Sequence, residues 1–529
     1  MSPERTDVCI VGTGFGGAIT AYYLARAGRR VVMLERGRRY RDDELQVDID
    51  PKKLLPLVHQ FTGNGLTVLA GTGVGGGSLV YSGASLRAPS FVFDRENARG
   101  RIWPRELSRR ALDPWYRRAE AALGTHQLSF REVAKRGGVW ARHMNALGYR
   151  VDPIRQATTA CLHCGFCNTG CRFGRKNHLP MNYLLGAERA GAEIRPKSEA
   201  VRIAPADGGY RVTYGPPDQT NLMSPKGPSA TTEIQAEQVI VAGGAIGTAG
   251  LLLRSRPFLP GLSQQLGKNL SGNGDFALAA LLPEDPALPG NGLARQHEGV
   301  AMDTVCYEFL ESHGFIIITQ HQLAPATLLN GDAHDRWWGR GKKDVMRDYG
   351  QRMVGLAIIG VDGSPGQVRT AVSSSDQYGL SPAFGISDID FPVDRTTQKL
   401  YEDARRIVGG LLERMGGQLL DVAFNVSPTY GEMAYSAHPI GTARMADTPE
   451  TGVVDAHGEV FGHPGLFVTD GAAVPTALGV NPSLTIAANA ERMAAGLVRR
   501  LGKNLAPPPV ANPHHRPRPG EGRLRKGRR

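Results

Sequence analysis

No uninterrupted apolar run in this sequence reaches the roughly 18 residues that a membrane-spanning helix needs. The longest candidate, Val239–Leu253, is broken by four glycines, so no transmembrane helix is expected. No internal repeat is evident. At the N-terminus only MSPERTD precedes the first apolar run. That leaves no room for a basic region, an apolar stretch and a cleavage site, and a cytoplasmic protein is expected. Acidic residues are scarce at the other end. From Lys503 to Arg529 Glu521 stands alone against Lys503, Arg516, Arg518, Arg523, Arg525, Lys526, Arg528 and Arg529, which places most of the +12 formal charge in one segment. With Pro507, Pro508, Pro509, Pro513, Pro517 and Pro519 interleaved, residues 503–529 are expected to form a disordered basic tail rather than a nucleic-acid-binding arm.

The remainder has an ordinary globular composition, with 41% hydrophobic and 21% charged residues, and 529 residues suffice for one large or two interleaved domains. Asp7–Val11 is a short apolar run followed by GTGFGG, a helical pattern that stops at Gly28, and a second apolar run, Val31–Leu34, ending in Glu35. This order predicts strand, glycine turn, helix and strand, the unit that binds a dinucleotide. In it Gly12 makes the tight turn, Gly14 admits a pyrophosphate against the backbone, and Gly17 lets the helix pack on the strand. Phe15 and Gly16 belong to the same cofactor-binding turn, and the N-terminus of the helix that follows receives phosphate charge. Glu35 follows the motif by about 20 residues, the place of an acid that accepts hydrogen bonds from a ribose hydroxyl pair.

A second glycine cluster, GTGVGGGSLVYSG (Gly71–Gly83), is too glycine-rich for a regular element and predicts a fixed turn where backbone passes close to something else. A third lies in VIVAGGAIGTAGLLLRS, with Val239–Ala242 as a buried strand and Thr248–Arg254 as a helix. A nucleotide domain is thus assembled from separated pieces of chain. Between them, Asn273 to about Thr429 alternates in apolar segments such as Phe315–Thr319 and Val354–Ile359, which predicts an antiparallel sheet in a substrate-facing domain.

Near the C-terminus stand AYSAHPIGTARM (Ala434–Met445), LFVTDGAAVP (Leu466–Pro475) and GVNPSLTIAANAERMA (Gly479–Ala494). With the three glycine segments before them, these blocks resemble the glucose-methanol-choline oxidoreductase family, in particular its cholesterol oxidase and long-chain alcohol oxidase branches. The resemblance spans nearly the whole chain. It implies an α/β protein of mixed α+β character, with a discontinuous Rossmann-like FAD-binding domain over residues 1–90, 185–272 and 430–502. A connecting region over 91–184 and a substrate domain over 273–429, built on a six-stranded antiparallel sheet, complete the implied division. Carried over by position, His438 matches the active-site histidine and Asn481 its partner on the substrate hydroxyl. Asp470 and Gly471 match the turn along the flavin, Gly77 the glycine loop near its ring system, and Val201 a strand residue meeting the adenine. No histidine lies in the glycine loop, so the implied FAD is non-covalent. Tyr81 and Ser82 stand where cholesterol-oxidase-type relatives carry asparagine and glycine, and no residue matches the carboxylate that group uses for steroid isomerisation.

Chemistry supports the assignment of His438. Hydride leaves an alcohol carbon only as the hydroxyl proton is lost, which requires a base of near-neutral pKa within hydrogen-bond reach. Histidine, with an ordinary value of about 6.5, meets that need. Asn481 donates to the same oxygen without competing for the proton. The expected function is oxidation of an alcohol, lipophilic or sterol-like, with HPIGTARM favouring a dehydrogenase that passes electrons to a redox protein or quinone over an oxidase using oxygen.

Four of the six cysteines, Cys161, Cys164, Cys167 and Cys171, fall in CLHCGFCNTGC. Their C-x2-C-x2-C-x3-C spacing is that of bacterial ferredoxins, with Arg172 in place of the usual proline. An iron–sulfur cluster, a zinc ion and a packed or redox-labile thiol group are all open readings. Cys9 and Cys306 read as buried small hydrophobes. Two functions of other classes therefore stand beside alcohol oxidation: an iron–sulfur electron carrier, and a nucleic-acid-associated protein acting through its tail.

Overall fold

The computed structural model describes residues 4–45, 56–217, 228, 230–284, 293–295, 298–321, 339–370, 387–420, 426–427, 431–432 and 434–506. Nearly all of the basic tail lies outside the described residues. Strand β1 (Glu4–Val11), helix α1 (Phe15–Arg26) and strand β2 (Val31–Glu35) realise the predicted unit. β2 is buried along its whole length, as a continuous apolar run in a parallel sheet covered on both faces should be. β1 pairs in parallel with β2 and, on its other edge, with strand Thr232–Val241.

That long strand organises the sheet. Its first half pairs antiparallel with Gly209–Gly215, and its last three residues pair in parallel with Leu466–Val468. Strand Glu193–Pro196 closes one edge beside β2, and Glu199–Ala206 closes the other, giving seven strands. The carboxyl ends of β1, Thr232–Val241 and Leu466–Val468 therefore lie side by side, the place where open α/β sheets bind ligands. The helices Phe15–Arg26 and Tyr183–Arg189 and the C-terminal helix Ser483–Arg500 are joined by the buried Glu491 carboxylate, which accepts hydrogen bonds from the Tyr23 and Tyr183 hydroxyls. A buried carboxylate with two donors avoids the cost of an unpaired charge.

A second sheet of six strands is antiparallel throughout. Its order is Gln418–Leu420, Phe276–Leu281, Met353–Gly360, Phe315–Gln320, Met302–Cys306 and Asp152–Pro153. The apolar segments at 315–319 and 354–359 form its two central strands. The outermost strand comes from the 91–184 segment. Helix Arg395–Met415, capped by the Asp394 carboxylate accepting from the Thr397 N–H, packs on one face. Cys9 and Cys306 are buried in the two cores. No helix among the described residues is long and apolar enough to cross a membrane.

Candidate active site

The first glycine turn is built by close approach of backbone to backbone. Gly12 has φ +95°, and a Cβ there would fall 2.2 Å from the Ala242 carbonyl oxygen. Those on Gly16 and Gly17 would fall 2.5 Å from the Thr469 oxygen and 2.1 Å from the Gly12 oxygen. Gly14 differs. It caps α1 in an extended conformation open to any residue, and a Cβ on it meets nothing within 4 Å. Phe15 is buried, edge-on to Tyr81 at 5.7 Å between ring centroids. The first turn of α1 carries no acidic side chain, leaving its N–H groups and dipole available to an anion.

The second glycine loop lies against the first: a Cβ on Gly76 would fall 2.9 Å from the Gly14 Cα, whereas Gly77, its neighbour, faces open space. Asp470 ties in the third. Its carboxylate accepts from the Gly244 N–H at 2.7 Å, the Thr248 hydroxyl at 2.6 Å and the Ala472 N–H at 2.9 Å, while burial pushes its pKa up. Gly471 accepts from the Gly441 N–H at 3.1 Å and stands against Pro439, next to His438. Val201 sits at an irregularity in the pairing of strand Glu199–Ala206, which begins at the tip of β2 where the Ser198 N–H donates to the Glu35 carbonyl. Glu35 uses both carboxylate oxygens on the protein, accepting from the Thr13 N–H (3.1 Å) and hydroxyl (2.6 Å) and from the Gly37 N–H (2.8 Å). Burial raises its pKa, and Oε1, which accepts only from Gly37, retains a lone pair for a further donor.

His438 and Asn481 come together, with 3.1 Å between Nε2 and the Asn481 amide nitrogen. The imidazole Nδ1 lies 2.8 Å from the carboxylate of Asp275, a residue absent from the sequence-based site. An ionised carboxylate only accepts, so Nδ1 carries the proton, and in the neutral ring Nε2 holds the lone pair that receives the Asn481 N–H. The Ser436 hydroxyl accepts the His438 N–H at 2.9 Å and lies 2.9 Å from the second Asp275 oxygen. The Asn481 carbonyl oxygen is buried without a hydrogen-bond partner, and its amide nitrogen stands 3.6 Å from the Met302 sulfur.

The four clustered cysteines line one cavity with Phe166, Phe173 and Lys176. Cys167 and Cys171 are buried, Cys161 and Cys164 half-buried, and all four are free thiols. Among the described residues no three His, Cys, Asp or Glu side chains are grouped as a metal site. Lys176, unforeseen in the sequence, is buried. Its ammonium donates to the Leu79 carbonyl at 2.9 Å, the Tyr81 carbonyl at 2.8 Å and the Cys167 carbonyl at 2.5 Å, while burial pulls its pKa down to about 8. The cysteine loop is thereby fastened to the second glycine loop.

Gly14, at a helix N-terminus, and Gly77, in the second glycine loop, each leave open space where a side chain would stand, room that fits the pyrophosphate and ribityl parts of a flavin dinucleotide. Models of the GMC oxidoreductase family match residues 10–272 and 364–490. A cholesterol oxidase of Mycobacterium tuberculosis is 30% identical, with 98% of this chain and 95% of that one covered. A long-chain-alcohol oxidase of Arabidopsis thaliana is 27% identical, over 94% of this chain and 68% of that one. Among solved structures, pyridoxine 4-oxidase from Mesorbium loti superposes with a TM-score of 0.63 at 18% identity, covering 92% of this chain and 98% of that one.

The open face of Gly14 yields a direct test. In Gly14→Val the new Cβ enters space that the apoprotein leaves free, so the fold should survive while flavin is excluded. The expected result is soluble protein with native circular dichroism and little absorbance near the usual flavin band; native flavin content would remove Gly14 from the cofactor site.

Proposed function

This chain belongs to the GMC oxidoreductase family, and on that premise we propose that His438 is the base and Asn481 the hydroxyl-orienting partner of an alcohol oxidation. The protein is an FAD-dependent oxidoreductase acting on the CH–OH group of donors. Bound FAD supplies the hydride acceptor. Gly12, Gly14, Phe15, Gly16, Gly17 and Gly77 would hold it through the two glycine loops, with Glu35 and Val201 at its adenosine end and Asp470 and Gly471 near its ring system.

The observation that carries this reading is the tautomer imposed on His438. With Nδ1–H on Asp275, the Nε2 lone pair faces the Asn481 amide. Nε2 takes the hydroxyl proton as the C–H bond breaks, and the Asn481 amide N–H steadies the oxygen that acquires negative charge. The unpartnered Asn481 carbonyl supports a polar ligand at this point, since a buried acceptor left unsatisfied costs about 1–3 kcal/mol. The relatives' names support a lipophilic alcohol, long-chain or sterol-like, as donor. For the electron acceptor, HPIGTARM supports a redox protein or quinone; the word oxidase in those names favours oxygen as the second reading.

Replacing the base separates binding from chemistry. In His438→Asn, flavin should remain bound while its anaerobic reduction by alcohol slows about 100-fold to 10,000-fold. In the native enzyme that rate should rise with pH through one ionisation, because only neutral imidazole accepts a proton, and the variant should lose this limb. An unchanged rate of reduction in His438→Asn contradicts the assignment.

For the cysteines we take the thiol reading over the iron–sulfur one. Supporting it are the absence of a metal-like grouping among the described residues and the attachment through Lys176, whose interactions tie this loop to the glycine loop. Anaerobically prepared protein should contain only trace iron and acid-labile sulfide, and Cys164→Ser should retain flavin. Stoichiometric iron and sulfide, both lost in Cys164→Ser, would restore the cluster.

A further inference from the structure

His438 and Asn481 lie on separate loops, yet one five-residue turn grips both. Ser271–Asp275 joins strand Lys268–Leu270 to strand Phe276–Leu281. Asn273 and Gly274 both adopt φ +59°, a conformation that asparagine and glycine tolerate best. A Cβ on Gly274 would fall 2.7 Å from the Gly360 carbonyl carbon, so the turn is pressed against the end of a central strand.

Ser271, Asn273 and Asp275 each have a partner on the catalytic loops. Ser271 exchanges two backbone hydrogen bonds with Ile440, at 3.0 and 3.1 Å, two residues past His438. Asn273 is fully buried; its side-chain oxygen accepts from the Leu478 N–H and its amide donates to the Val480 carbonyl, both at 2.8 Å, clamping the backbone that leads into Asn481. Asp275 meets the imidazole Nδ1 at 2.8 Å and accepts the Ala437 N–H at 3.3 Å. The turn is held from its far side by Asp362, whose carboxylate accepts the Ser271 hydroxyl at 2.7 Å and the Gly274 N–H at 3.0 Å. The Arg95 guanidinium donates to the Asp362 carbonyl at 3.3 Å. Among the described residues Asp275 is the charged group in contact with the imidazole, while Asp362 and Arg95 face the opposite side of the turn.

We propose that Ser271–Asp275 is the positioning element of the catalytic pair: Asp275 fixes the His438 tautomer and stabilises the imidazolium, and Asn273 sets the distance of Asn481 from it. This rests on His438 being the base. A carboxylate on Nδ1 keeps the proton there before the reaction and balances the positive ring once Nε2 is protonated. The amide clamp acts on geometry alone. The two residues therefore have different signatures.

Asp275→Asn keeps the size and removes the charge. Anaerobic flavin reduction should slow on the order of 100-fold, and its rising pH limb should move to lower pH, because the imidazolium has lost its anion. Asn273→Gly keeps the backbone conformation but removes the clamp; reduction should slow with the limb at its native pH. Should Asp275→Asn fail to retain flavin, Asp275→Ser replaces it with the same expected shift. A purely structural Asp275 would lower flavin content or stability without moving the limb. A native limb in the charge-removing variant overturns the proposal, even if His438→Asn shows that the histidine is the base. If His438→Asn itself keeps the limb, the base assignment has failed instead.

Discussion

The site depends on backbones that touch where side chains would normally stand. Carbonyl oxygens of Ala242, Thr469 and Gly12 occupy the positions that Cβ atoms on Gly12, Gly16 and Gly17 would need, and Gly76 presses on Gly14. Because interiors are close-packed and transmit strain, this contact fixes the ends of three parallel strands and the second glycine loop as one body. Gly14 and Gly77 are left with open faces within it. The same contact sets the reactive end, since Thr469 leads into Asp470 and Gly471, and Gly471 lies against the Pro439 that follows His438.

Two electrostatic arrangements sit on this frame. At His438 a carboxylate and an amide define which ring nitrogen holds the proton, the arrangement that the proposed base requires. At Lys176 a buried ammonium is satisfied by carbonyls rather than by a carboxylate, and burial lowers its pKa. The first suits the proposed proton transfer. The second binds the cysteine loop to the glycine loop, and Tyr81, whose hydroxyl donates to the Asn177 carbonyl at 2.6 Å, reinforces that attachment.

Local patterns made much of this legible in the sequence. The first strand, glycine turn, helix and strand follow from apolar runs and glycine spacing, and the two central strands of the antiparallel sheet follow from their apolar segments. Asp275, Asn273 and Lys176 were not legible, because their roles rest on contacts with residues far away in sequence. SGNGD reads as a plain turn until its asparagine is seen bridging Leu478 and Val480. The edge strand Asp152–Pro153 is too short for any periodicity and contains a proline, which suits only an edge. Glu35 was legible as an acid at the tip of β2, but its engagement by Thr13 and Gly37 was not.

Removal of a hydride from an alcohol carbon is the reaction that this architecture serves. Its most direct test is the visible absorption spectrum of the flavin-loaded native protein, recorded anaerobically before and after addition of long-chain primary alcohols and of sterols. Bleaching of the flavin band by at least one of these donors, with stoichiometric carbonyl product, is the predicted result. A flavin band left intact by every alcohol, in protein that dithionite reduces normally, would contradict it.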